Sequence, residues 1–208
     1  MITSTDKFIY RGNNYNYLIH GYNDTALNER CVEVPIVLDW LLKMPRTSNI
    51  LEFGNVVQNY YPDLPARYKF YRVIDKYEIG PNVSNVDIVD FGDNNVYDLV
   101  ISISTLEHPG NDHNEEKDSE KWRRGLDRLK IAAAPLGQLI VTFPLGQNPG
   151  VDREFPENWD LHFHHVDWMK RREDGTWMQV GWNDVEKKPR PEGWPMTIGI
   201  GYWCKVLE

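Results

Sequence analysis

The chain has 208 residues, 41% of them hydrophobic and 26% charged, which suits one globular domain with a sizeable core and excludes a large multidomain machine. Lys and Arg number 23 against 31 Asp and Glu, and the resulting formal charge of −8 argues against a nucleic acid or an anionic membrane as the main partner. No apolar run approaches the ~20 residues of a spanning helix.

The start, Met1 to Lys7, lacks the basic flank and apolar core of a secretory signal. The two cysteines, Cys31 and Cys204, lie too far apart to resemble a zinc site or a disulfide framework, and they read as reduced thiols of a cytoplasmic protein. Residues 1–28 are polar and aromatic, with turn signals at Gly12-Asn13-Asn14 and Gly21 to Asp24. An irregular lid or short hairpin is expected there, held to the body by Phe8, Tyr10, Tyr15 and Tyr17. From Val34 the apolar positions Val34, Val37, Leu38, Leu41 and Leu42 follow the spacing of one helix face; Pro35 sits in its first turn or kinks it, and Pro45 follows its end.

Strand-like runs follow at Asn49–Phe53, Tyr71–Ile74, Val86–Val89, Tyr97–Ser104 and Gln138–Phe143. The fourth is nearly continuous apolar sequence, as expected of a strand covered on both faces. A charged helix over Glu115–Ala134, with Trp122, Leu126 and Leu129 on one side, precedes the fifth run, and Pro135-Leu136-Gly137 should end it. Alternating strands and helices predict an α/β, doubly wound, mostly parallel sheet. In the tail, Phe163–Arg171 and Thr176–Gly181 flank Glu173-Asp174-Gly175, a hairpin signal, and Thr197–Val206 reads as a last strand.

Ligands of open α/β sheets bind at the carboxyl ends of the strands. Those ends carry Glu52 and Gly54, Asp75, Asp90, Ser104-Thr105 and Pro144. Gly54 lets the backbone turn sharply and approach a ligand. Asp75 follows Glu52 by 23 residues, near the ~20-residue interval at which an acid meets a ribose diol. Asp90 with Phe91 suits adenine, one as acceptor for the exocyclic amine and the other as an aromatic face.

Residues 30–146 resemble class I S-adenosylmethionine-dependent methyltransferases. The resemblance rests on Ile50-Leu-Glu-Phe-Gly54, Val73-Ile-Asp75, Asp87-Ile-Val-Asp90, Tyr97 to His108 and Pro135 to Pro144. Segments Asn28–Pro35, Glu52–Val56 and Asp75–Glu78 further resemble an uncharacterised methyltransferase-like subgroup. The resemblance implies a Rossmann-like, seven-stranded sheet with an antiparallel last strand, and S-adenosylmethionine as cofactor. It places Glu52, Gly54 and Asn55 near the methionine end, Asp75 and Lys76 at the ribose, Asp90 and Phe91 at the adenine, and Ser104 at the fourth strand end. His108, with Glu107, reads either as the base for a hydroxyl acceptor or as a polar loop residue that steadies the turn. The family's glycine-rich loop departs here to Glu52-Phe-Gly54-Asn-Val56-Val-Gln58, with two of three glycines replaced. A dinucleotide dehydrogenase fits less well, because no Gly-x-Gly-x-x-Gly follows the first strand.

His162-Phe-His164-His165 lacks further ligands at metal-site spacing and reads as a pocket wall or strand surface, with no metal expected. The mixed charges from Asp112 to Arg124 read as a solvated helix face. The Trp-rich tail (Trp159, Trp168, Trp177, Trp182, Trp194 and Trp203) reads as core packing or as a stacking surface for an acceptor. One domain is expected, divided into an N-terminal extension over 1–28, a cofactor-binding core over 29–146 and substrate-side elements over 147–208. The expected function is methyl transfer, as O-methylation, to a small-molecule or saccharide acceptor; the alternative is a non-catalytic nucleotide-binding or protein-interaction module. An oligomer is compatible with either.

Overall fold

The structure, a computed structural model, describes residues 3, 5–23, 28–112, 116–188, 193 and 195–206. Strands β1 (Lys7–Tyr10) and β2 (Asn13–Asn16) form an antiparallel hairpin. They are followed by α1 (Arg30–Lys43), β3 (Asn49–Phe53), α2 (Val57–Tyr60), β4 (Phe70–Asp75), β5 (Val83–Asn85) and β6 (Tyr97–Ile103). The second half holds α3 (Lys121–Ala132), β7 (Ala133–Pro144), α4 (Pro149–Glu154), β8 (His165–Arg171), β9 (Trp177–Val180) and β10 (Thr197–Cys204).

Eight strands form one sheet in the order β5-β4-β3-β6-β7-β10-β8-β9. The pairs from β5 to β7 are parallel, whereas β10 runs antiparallel to both β7 and β8. β9 adds an eighth, antiparallel edge strand to the seven expected. Alternate residues of the central strands feed two cores. Ile50, Leu99, Ile101 and Ile140 pack with Val32, Val37 and Leu41 of α1. Leu51, Val100, Leu139 and Val141 pack with Trp122, Leu126 and Leu129 of α3. Each fully buried side chain of this kind contributes roughly 1.5–3 kcal/mol.

Pro35 lies in the second turn of α1 rather than the first. Its missing N–H leaves the Cys31 carbonyl free of the helix ladder, and that carbonyl accepts from Leu18 N–H at 3.0 Å. The helix is thereby tied to the N-terminal segment. Ile36 is buried on α1, whereas Leu42, expected on its apolar face, is 40% exposed.

Several boundaries differ from expectation. The strand expected over Val86–Val89 is instead the short edge strand β5 before it, and Ile88–Asp90 form a 3₁₀ turn capped by the Asp87 side chain, which accepts from Val89 N–H. The helix α3 begins at Lys121; Glu115, its expected first residue, lies outside the described residues. Pro135-Leu136-Gly137 does not separate α3 from β7 but lies within β7, where Leu136 takes φ 63°. A Cβ on Gly137 would stand 2.6 Å from the Tyr97 carbonyl oxygen, so the backbones meet there. The N-terminal turn is Arg11-Gly12, one residue earlier than read from sequence.

The hairpin β1–β2 docks on the β8–β9 side. Tyr10 Oη donates to Asp167 at 2.7 Å, and Arg11 Nε pairs with the same carboxylate at 2.6 Å. No helix among the described residues is long and apolar enough to cross a membrane.

Candidate functional site

Beyond the carboxyl ends of β3, β4 and β6 lies a cavity of about 320 Å³, walled by Phe53, Asp75, Lys76, Tyr77, Asp87, Ile88, Thr105, His108, Pro109 and Asp112. A second cavity of about 230 Å³ adjoins it and shares His108. Glu29, Arg30, Ser104, Glu107 and Asn111 are among its walls. A ligand-sized space and a smaller polar one therefore meet at one imidazole.

Asp75 closes β4, and its Oδ1 accepts from the backbone amides of Tyr77 at 2.8 Å and Glu78 at 2.7 Å. This turn fixes the carboxyl at the cavity wall. Lys76 Nζ lies 2.9 Å from Asp87, and Lys121 Nζ lies 2.6 Å from the same oxygen. Burial works to raise the Asp87 pKa, but the two ammonium groups outweigh it and hold the carboxyl below its ordinary value.

Glu52 does not reach the cavity. Its Oε1 accepts from Val56 N–H at 2.8 Å and Val57 N–H at 2.6 Å, while Oε2 accepts from Tyr71 Oη at 2.8 Å. It holds the β3–α2 turn from beneath, fully buried. Val56 and Gln58, which replace family glycines, lie at the N-cap and in the first turn of α2; Val56 has φ −87°, so no glycine is required there. Gly54 does require its left-handed φ of 87°. A Cβ on it would stand 2.1 Å from Thr105 Oγ1, so the close approach that Gly54 permits is taken by Thr105. Asn55 is buried away from the cavity, donating to Glu78 at 2.8 Å, with its Oδ1 unpaired.

Asp90 and Phe91 depart from their expected place. Because residues 88–90 form a turn, Asp90 is exposed and Phe91 is buried against Tyr97 beneath the Arg72 guanidinium. Asp87 and Ile88 occupy the cavity wall instead. Sequence reasoning missed them because Asp87-Ile-Val-Asp90 offers two carboxylates, and only the position of the turn selects between them.

The fourth strand end brings Ser104 and Glu107 into the second cavity's wall, Thr105 into the first, and His108 between the two. Ser104 takes φ 37°, an uncommon value for a residue with a Cβ. Its hydroxyl donates to Glu33 at 2.6 Å. His108 Nδ1 lies 2.9 Å from Asp112 Oδ1, and its Nε2 lies 3.8 Å from Glu107. Burial opposes the charged ring, yet Glu107 and Asp112 outweigh it and raise the His108 pKa. Burial lifts the Glu107 carboxyl to about 6, although His108 works against that rise. The site thus holds a proton acceptor between its two spaces.

The fold is similar to those of known proteins. The chain is similar to the N-methyltransferase NodS from Bradyrhizobium japonicum WM9 in complex with S-adenosyl-L-homocysteine: TM-score 0.54 and 16% identity over 88% of this chain and 93% of that one. This chain has the class I methyltransferase fold. A second NodS structure gives TM-score 0.52 and 15% identity over 83% of this chain and 93% of that one. The YcgJ protein from Bacillus subtilis gives TM-score 0.50 and 8% identity over 83% of this chain and 97% of that one. No protein-family model and no curated protein matches the sequence.

The histidine cluster and the tail aromatics are spread over several surroundings. The His162 ring packs edge-on to Trp122, with 5.2 Å between ring centres. No group of three His, Cys, Asp or Glu suited to a metal occurs among the described residues. Trp168 and Trp177 are core residues, Trp182 is 55% exposed, and Trp194 lies outside the described residues. Neither strand of the N-terminal hairpin is among the residues walling the two cavities.

Proposed function

We propose that the protein is an S-adenosylmethionine-dependent methyltransferase acting on a small molecule. The observation that carries this reading is the cavity at the ends of β3, β4 and β6 with the oriented Asp75 carboxyl in its wall, joined through His108 to a second space. Asp75 would accept from the ribose hydroxyls, with Lys76 beside it. Phe53 and Ile88 supply apolar walls for the adenine, and Asp87 a polar edge. When bound, the cofactor supplies a methyl group on a sulfonium. His108 then takes the acceptor's proton, with Asp112 holding the ring and Glu107 beside it. Alignment of the acceptor in the second space is the main source of acceleration, so few reacting side chains are needed. A saccharide hydroxyl is one acceptor this base would serve, and a cytoplasmic, single-domain enzyme, alone or as an oligomer, fits the composition.

A nucleotide-binding module without transfer is the second reading, motivated by Thr105 occupying the space over Gly54. The test of the first is thermal unfolding with S-adenosylhomocysteine and, separately, NAD. The homocysteine product at a hundred times its dissociation constant should stabilise by ~2.7 kcal/mol. Stabilisation by NAD alone, or by neither, overturns the methyltransferase reading.

A further inference from the structure

The second cavity holds more carboxylate than the surrounding protein satisfies. Glu107 is 4% exposed, and its Oε2 has no hydrogen-bond partner among the described residues, although it is one of the cavity's walls. Glu29, across from it at the start of α1, likewise has a buried Oε2 without a partner among the described residues. A buried acceptor left unpaired costs about 1–3 kcal/mol, and more when charged, so two in one small space point to donors brought by a ligand.

The cation nearest to hand is already committed. Arg30 Nη1 donates to the Ile103 carbonyl at 2.6 Å and to Glu33 at 3.2 Å, while Nη2 donates to the Ser104 carbonyl at 3.1 Å. The guanidinium thus locks the β6 end to α1 and turns its donors to the backbone. Asn111 Nδ2 is also taken, by the Gln147 carbonyl at 2.7 Å. His108 faces Glu107 at 3.8 Å without bonding to its Oε2, so apart from that ring what remains available in this cavity is acceptor capacity and negative charge.

We propose that this cavity binds the ammonium group of a small amine, held between the Glu107 and Glu29 carboxylates. An ammonium carries three donors and no acceptor, matching two unpaired carboxylate oxygens, whereas a hydroxyl offers one donor and lacks the charge. Burial and the Glu29 charge disfavour ionised Glu107 and outweigh His108 and Arg30, so an entering ammonium adds the counter-charge that those two only partly supply. That this amine is the methyl acceptor rests on the proposed function; that it binds in this cavity does not.

The test is calorimetric titration of the full chain with glucosamine and benzylamine, each against its hydroxyl counterpart, glucose or benzyl alcohol. The series is run with and without S-adenosylhomocysteine, whose own binding is read first. At least one amine should saturate and bind about tenfold or more tightly than its counterpart. Glu107→Gln and Glu29→Gln should each shrink that preference, so either variant gives the result if the other does not fold. Equal affinity for amine and alcohol, no saturation by either amine, or a preference unchanged in the folded variants overturns the assignment. Amine failure with the homocysteine product bound refutes only this inference. Failure of that product with an amine bound refutes only the methyl-transfer reading.

Discussion

Glu52→Gln separates a structural carboxyl from a ligand-binding one. The side chain is fully buried, and burial lifts its pKa from 4.5 to about 7 against the opposing hydrogen bonds from Val57, Tyr71 and Val56. A carboxyl whose native pKa exceeds its unfolded value takes up a proton on folding. Its stabilising contribution is therefore complete below about pH 4.5 and is lost as pH rises through about 7. The displacement from 4.5 to about 7 corresponds to roughly 3 kcal/mol at full ionisation. Gln keeps the shape and a carbonyl for the Val56 and Val57 amides, and it never ionises. Urea unfolding should find Glu52→Gln close to wild type at ~pH 5 and more stable by about 2–3 kcal/mol at ~pH 8. Affinity for S-adenosylhomocysteine should stay within a few-fold, since one Glu52 oxygen is taken by the turn amides and the other by Tyr71. Equal destabilisation at both pH values would refute the reasoning, because it would mean that the turn needs the ionised carboxylate.

Other consequences follow from the same contacts. Gly54→Ala places a Cβ 2.1 Å from Thr105 Oγ1 at φ +87°, and should cost about 2–4 kcal/mol in denaturant unfolding; Thr105→Ala in that background should recover only part. Tyr10→Phe removes the hydroxyl that bonds to Asp167, and should cost about 1–2 kcal/mol and speed proteolysis within the β1–β2 hairpin. His108→Asn should leave S-adenosylhomocysteine binding intact and lower methyl transfer by about 10²–10⁴-fold once an acceptor is in hand. Because Glu107 and Asp112 raise the His108 pKa, the wild-type rate should climb with pH through a value above the ordinary 6.5 and then level off.

The parts of the fold that were legible in the sequence share one property: their local pattern and their tertiary surroundings agree. β3, β6 and β7 are apolar on both faces because helices cover both, and Asp174-Gly175 turns where a hairpin needs it. β5 was misplaced because an edge strand three residues long leaves almost no pattern, and the Val86–Val89 run resembles a strand more than the true one does. That shift alone put Asp90 and Phe91 where a cavity wall was expected, a place that Asp87 and Ile88 occupy. The placement of Asp75 and His108 at the cavity wall was legible because Asp75 closes β4 and His108 lies on the loop after β6, two strands that the sequence marks clearly. The fate of Glu52 was not, because it depends on the Val56 and Val57 amides at the start of α2 turning back beneath the strand end. Nor was the second cavity, whose Glu29 and Glu107 come together only when α1 docks beside the end of β6.

The most direct measurement is calorimetric titration of wild type and Asp75→Ala with S-adenosylmethionine side by side. Micromolar binding by wild type, weakened by about 1–3 kcal/mol in the variant with its fold intact, is the predicted result. No heat from either protein, or equal affinity in both, would contradict the placement of the cofactor at the end of β4.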